Sequence, residues 1–166
     1  MFYFNLAIFI ILLSFGIAGY SATPWVPTRK HDYSRIFSLA EIRPDEVFME
    51  LGCGGGLLLT QMAKQGAKTI GYEISLLPFF VSLLRKIFQN QKTSLHFKSL
   101  WRADLRSADI VYFFLMPNIM PKLKEKILRE CRPRTKIISY AFPIADLPIT
   151  KTDEQKGHPP IYLYKI

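Results

Sequence analysis

The chain has no charged side chain before Arg29, two cysteines and three histidines among its 166 residues. Each scarcity excludes something. A cleaved signal peptide would want Lys or Arg ahead of its apolar run, and none precedes this one. Tyr20-Ser21-Ala22 also puts a bulky Tyr where such a cut wants a small residue. Two cysteines cannot build a disulfide framework; Cys53 sits inside a glycine-rich stretch, and the pair agrees with a reducing compartment. His31 and His158 show no metal-ligand spacing, so no metal is expected. There is no internal repeat and no low-complexity tract.

What the N-terminus does have is apolar residues. From Phe2 to Tyr20 the clearly polar residues are Asn5 and Ser14. As a helix this run would reach roughly 28 Å at ~1.5 Å per residue, close to the hydrocarbon thickness of a bilayer. The reading is a single-pass membrane anchor over 1–22, followed by a proline linker and capping helix over 23–45 and one α/β domain over 46–166. Pro24 and Pro27 keep the linker extended, and Trp25 suits the headgroup level. Arg29, Lys30 and Arg35 all follow the anchor, so the positive-inside rule places the domain in the cytoplasm.

Net charge is +9, with 49% hydrophobic and 21% charged residues, a globular balance. Between Arg85 and Lys136 stand 13 Lys/Arg against Asp104, Asp109, Glu125 and Glu130. Such a surface suits anionic lipid or an acidic partner; with no aromatic-basic motif, nucleic acid is not expected as a partner.

Strand and helix patterns then alternate. Asp32 is expected to cap a helix to Ala40. Strands are expected at Val47–Leu51, Thr69–Glu73, Ser94–Lys98, Ile110–Phe114 and Lys136–Ala141. Helices are expected at Leu57–Gln65, Leu76–Gln89 and from Asn118 or Pro121 to Cys131. Two short runs, Asp146–Thr150 and Ile161–Lys165, read as a terminal hairpin. The fold class is an open, Rossmann-like, mostly parallel α/β sheet with an antiparallel C-terminal hairpin.

The first strand runs into Glu50-Leu51-Gly52-Cys53-Gly54-Gly55-Gly56, and Glu73 ends the second strand 23 positions after Glu50. Glycines at a first β–α turn let backbone approach a ligand, and an acid ending the next strand can accept from ribose hydroxyls. The dinucleotide fingerprint needs glycine at position 57, where Leu57 stands. Glu50 ahead of G-x-G-x-G suits instead a cationic ligand without pyrophosphate, S-adenosylmethionine.

These residues resemble the class I methyltransferases. More narrowly, the chain resembles the membrane-anchored lysine methyltransferases that modify the mitochondrial adenine nucleotide translocase and ATP synthase c subunit, with their prokaryotic relatives. The resemblance runs from Pro24 to about Pro143. It rests on Pro24-Trp25-Val26-Pro27-Thr28, the loop from Glu50 to Gly56, and Gly71-Tyr72-Glu73. Leu100-Trp101, Asp104-Leu105, Phe114-Leu115-Met116-Pro117 and Ser139-Tyr140-Ala141-Phe142-Pro143 add to it.

The resemblance implies methyl transfer to a lysine of a protein, membrane proteins included. It further implies that Glu50, Gly52, Cys53, Gly54, Gly56 and Glu73 hold the cofactor and that Ser99 and Leu100 border adenine. Trp25, Val26 and Pro27 would fold over the site. Three positions depart from the family: Gly55 and Leu57 replace a common acid and base, and Ser99 a common acid.

Met116, Pro117 and Asn118, after the fourth strand, lie where the acceptor should arrive. Asn118 could orient an amine or cap a helix. Tyr140 and Phe142 could wall the acceptor channel by cation–π attraction or serve as core aromatics. Besides the lysine methyltransferase, two readings stand: a methyltransferase for a lipid or small hydrophobic molecule, and a non-catalytic membrane module.

Overall fold

A computed structural model describes residues 26–89 and 92–166, together with 1, 3–6, 9, 12, 13 and 16. Trp25 and most of the expected anchor therefore lie outside the described residues. Among the described residues, no helix is long and apolar enough to cross a membrane.

Helix α1 (Tyr33–Ala40) precedes the alternating body: β1 (Val47–Leu51), α2 (Leu57–Lys64), β2 (Lys68–Glu73), α3 (Leu76–Phe88), β3 (Thr93–Phe97), β4 (Ile110–Phe113), α4 (Met120–Glu130) and β5 (Lys136–Tyr140). β6 (Lys151–Asp153) and β7 (Ile161–Lys165) close the chain. The seven strands run in the order β3-β2-β1-β4-β5-β7-β6. Pairings from β3 through β5 are parallel, and β7 joins β5 and β6 antiparallel.

Strand side chains alternate between two cores. Phe48, Ile110 and Ile138 pack under α1 and α2 with Ile36 and Leu59. Their neighbours Met49, Val111 and Ile137 face Leu123 and Ile127 of α4. A parallel strand covered on both faces is mostly apolar, and VFMEL, with Glu50 its one charged residue, and IVYF are legible as strands on that ground. Because β2 lies on one side of β1 and β4 on the other, the strand order reverses beside β1 and opens a crevice at the carboxyl ends.

Several expectations need correction. The hairpin's first strand begins at Lys151, not Asp146. Asp146 takes φ 54° and Pro148 has no N–H, so pairing starts only past both. Asp32 stands at the start of α1 but makes no capping bond, because its carboxylate is turned toward other partners. Asn118 lies in a short 3-10 turn, Pro117–Ile119, and makes no cap either. The basic stretch is not all surface: Lys126 is buried, donating to Ala103 O at 2.6 Å and pairing with Glu130 at 2.7 Å. Arg35, counted above as a flanking charge, is buried too.

Gly71 is fixed by packing. It pairs with Glu50 in the β1–β2 register, and a Cβ there would sit 2.4 Å from Leu59 Cδ1 and 2.8 Å from Cys53 Sγ. Gly71→Ala should therefore cost ~1–3 kcal/mol by overpacking, read as a lower urea midpoint at unchanged slope. An unshifted midpoint would mean that the site has slack.

Candidate functional site

A cavity of about 380 Å³ opens where the strand order reverses. Its lining includes Glu50, Gly52, Cys53, Gly54, Glu73, Ser99 and Leu100 of the expected cofactor set, and Val26 and Pro27 of the linker. Gly56 is outside the lining; it shapes the loop instead. With φ 70°, its missing Cβ would lie 2.2 Å from Ser82 Oγ of α3, so the loop can press against that helix. Met116, Pro117 and Asn118 are exposed and do not line the cavity. Phe114 and Leu115 of the same segment do. Tyr140 and Phe142 stand behind Phe114, with ring centroids 4.8 and 6.5 Å away.

The two acids at the strand ends differ. Glu73 is well supplied with donors: its Oε2 accepts from Gly54 N at 2.9 Å, and its Oε1 from Ile74 N at 2.8 Å and Ser75 N at 2.6 Å. It thereby ties the loop to the end of β2. Glu50 is the opposite. Among the described residues, its Oε2 is the buried side-chain polar atom without a partner. Burial first, and then the Glu73 charge, push the Glu50 carboxyl well above the usual range; the Leu59 backbone N–H opposes them.

A buried carboxylate oxygen with no donor is costly unless something comes to meet it. The cavity it lines can bring that partner, and a cationic amino-acid end fits it. Burial, then Glu50 and Glu73, also raise the Cys53 thiol, which keeps it neutral in this acidic corner. Tyr33 is pushed to about 12 by burial and then by Glu50.

Other residues of the lining were not singled out from sequence: Lys30, Tyr33, Ile74, Ser75, Val81, Arg85 and Lys98. They come from four separate segments, and no local pattern marks them. Arg85 bears on a departure noted above. Its guanidinium donates to the Gly55 carbonyl, and a Cβ at Gly55 would meet Arg85 Nη1 at 3.3 Å. Arg85 thus grips the loop at the position where the resemblance expects an acid. Ser99 Oγ accepts weakly from Trp101 N at 3.4 Å while lining the cavity.

The linker is latched over this cavity from behind. Asp32 accepts from Tyr140 OH and Arg35 Nη1 at 2.6 and 2.9 Å, and its Oδ1 pairs with His158 Nδ1 at 2.6 Å. Arg35 reaches on to Asp153 Oδ1 at 2.6 Å and to Pro159 O at 3.0 Å. The Thr28 and Tyr112 hydroxyls share a hydrogen bond of 2.6 Å. His158 therefore does have a role that spacing did not reveal. His31, Asp32 and His158 bring ligand-capable atoms within 4.8 Å of one another, but three donors already occupy the carboxylate, and the cluster is a clamp.

Comparisons agree with this geometry. The pattern of the ANTKMT methyltransferase domain family matches residues 50–151. The chain is 27% identical over 150 residues to a protein-lysine N-methyltransferase of Saccharolobus islandicus, covering 86% of this chain and 93% of that one. It is 27% identical over 126 residues to the adenine nucleotide translocase lysine N-methyltransferase of Mus musculus, covering 73% of this chain and 54% of that protein. The chain thus spans about half the length of that vertebrate relative. An RNA methyltransferase from Salinibacter ruber, solved with S-adenosyl-L-homocysteine, superposes at a TM-score of 0.81 with 24% identity. That match covers 85% of this chain and 94% of the other, and it shows the fold.

Burial would raise the Asp32 carboxyl, but hydrogen bonds from Tyr140, Arg35 and His158 outweigh it and hold it down at about 2, against 3.8 ordinarily. A depressed folded-state value gives stability that is full above about pH 4 and lost as pH falls through about 2. Wild type should therefore melt higher than Asp32→Asn at neutral pH, and the gap should close between those limits. A gap independent of pH would show that the carboxylate charge is not what holds the clamp.

Proposed function

We infer that this chain, which belongs to the ANTKMT methyltransferase domain family, is an S-adenosylmethionine-dependent enzyme that methylates a lysine side chain of a protein. The observation that carries the cofactor is the unpartnered Oε2 of Glu50, buried at the wall of a cavity made by the glycine loop and Glu73. Glu50, Gly52, Gly54, Glu73, Ser99 and Leu100 would hold the cofactor, which supplies a methyl group activated on sulfonium. Displacement of that kind is in-line, so alignment and exclusion of water are the protein's main contributions.

The chain supplies both. Glu73 fixes the loop by accepting three backbone N–H groups, and Arg85 holds its far side. Val26, Pro27, Thr28 and Tyr33 wall the cavity beside Phe114, which packs on the buried Tyr140, narrowing the access of water. A lysine amine must shed its proton before it attacks, and a backbone carbonyl or water can accept that proton.

The membrane reading also belongs to the proposal. The uncharged run from Phe2 to Tyr20 anchors the protein, and Arg29 and Lys30 keep the domain on the cytoplasmic side. The acceptor protein is then one that lies at the same membrane. A lipid acceptor is the second reading, favoured by the exposed apolar side chains Phe80 and Val81 near the cavity.

Transfer of labelled methyl from S-adenosylmethionine into membrane extracts should leave the label in protein, recovered as methyllysine after hydrolysis. Label found solely in the organic phase would overturn the protein acceptor. Glu73→Ala should weaken cofactor binding by ~1–3 kcal/mol, the scale of a ribose hydroxyl losing its acceptor; unchanged calorimetric affinity would mean that Glu73 is not the ribose ligand.

A further inference from the structure

Helix α3 is inside out. Its buried residues are the small Pro78 and Ser82, and the latter lies against Gly56. Its large apolar side chains point the other way. At about 100° per residue, Leu76, Leu77, Phe80, Leu84, Ile87 and Phe88 fall within an arc of about 120°. All six are exposed, Phe88 to 83% and Ile87 to 63%. Phe97 of β3, 49% exposed, extends the patch through its ring contact with Phe79 at 5.2 Å. An apolar surface this continuous on a folded domain calls for an occupant.

The charges around it name one. From Ile74 to Ala103 the sequence has Arg85, Lys86, Lys92, Lys98 and Arg102 and not one Asp or Glu. Two copies of such a face would meet with like charges, which association penalises. An anionic lipid surface has the complementary charge and accepts apolar side chains below it. Position agrees as well. Val81 and Arg85 of α3, Lys98 beyond β3 and Val26 of the proline linker all line the same cavity.

We propose that the exposed face of α3 docks on an anionic lipid surface, with Phe80, Ile87 and Phe88 inserted among acyl chains and Lys92 and Lys98 at the headgroups. Docking of that kind turns the cavity mouth toward the bilayer, and it deepens the proposed function by restricting the acceptor to a lysine held close to the membrane surface.

The test uses the full chain on phosphatidylcholine vesicles with and without about one part in four of phosphatidylglycerol. An environment-sensitive dye is placed at Ile87→Cys in a Cys131→Ser background, with Lys151→Cys on the opposite edge strand β6 as the control. Doxyl lipid should quench the Ile87 label several-fold more than the Lys151 label, and more so when anionic lipid is present. Ile87→Asp should lower methyl transfer to membrane-borne protein while leaving calorimetric binding of S-adenosylmethionine unchanged.

Equal quenching at the two positions would overturn the proposal. So would an Ile87 label shielded from both doxyl lipid and aqueous iodide, which would assign the face to the N-terminal segment or a second copy. Quenching at Ile87 without any methyllysine would instead remove the acceptor reading and leave the docking surface standing.

Discussion

Two carboxylates end neighbouring strands, and the site depends on their being treated differently. Glu73 is given three backbone donors and becomes part of the loop's framework. Glu50, one strand away, keeps one oxygen with none. Placing an acid without a donor in a dry wall disfavours its ionised form, and the adjacent Glu73 charge adds to the effect. A cation entering the cavity meets that oxygen and restores the ionised form, so the feature that is costly in the empty site favours a cationic ligand. The glycine loop serves this asymmetry. Its backbone turns tightly enough for Gly54 N to reach Glu73 while Gly52 and Gly54 leave the cavity clear of side chains.

The second constraint is long-range. Val26, Pro27, Thr28, Lys30 and Tyr33 wall the cavity, yet their segment is secured by distant parts of the chain: Asp32 by Tyr140 and His158, and Arg35 by Asp153 and Pro159. The antiparallel β6–β7 hairpin therefore does more than extend the sheet. It carries the partners that hold the linker against the domain, which couples the integrity of the C-terminus to closure of the cofactor site.

Much of this was legible in the sequence. β1, β4 and the glycine loop were read within a residue, because strands covered on both faces are mostly apolar runs. Glu73 followed from spacing alone. What escaped had physical causes. Asp146 and Pro148 broke an extended run that composition could not distinguish from a strand. The Asp32–His158 contact joins residues 126 positions apart, and Asp32 looked like a helix cap because its partners were out of sight. Tyr33, Arg85 and Lys98 reach the cavity from separate elements. Most telling is α3: the sequence shows a helix over Leu76–Gln89, but not that its large apolar side chains face outward while Pro78 and Ser82 are the buried ones.

The most direct test of the central claim is a proton count. If Glu50 is protonated in the empty cavity and is ionised by the cationic cofactor, binding must release a proton at neutral pH. Calorimetric titration of S-adenosylmethionine in buffers of different ionisation enthalpy measures that release. The account predicts a heat that varies with the buffer for wild type and not for Glu50→Gln, whose affinity is also lower. Buffer-independent heat in wild type, or undiminished affinity in Glu50→Gln, would contradict it.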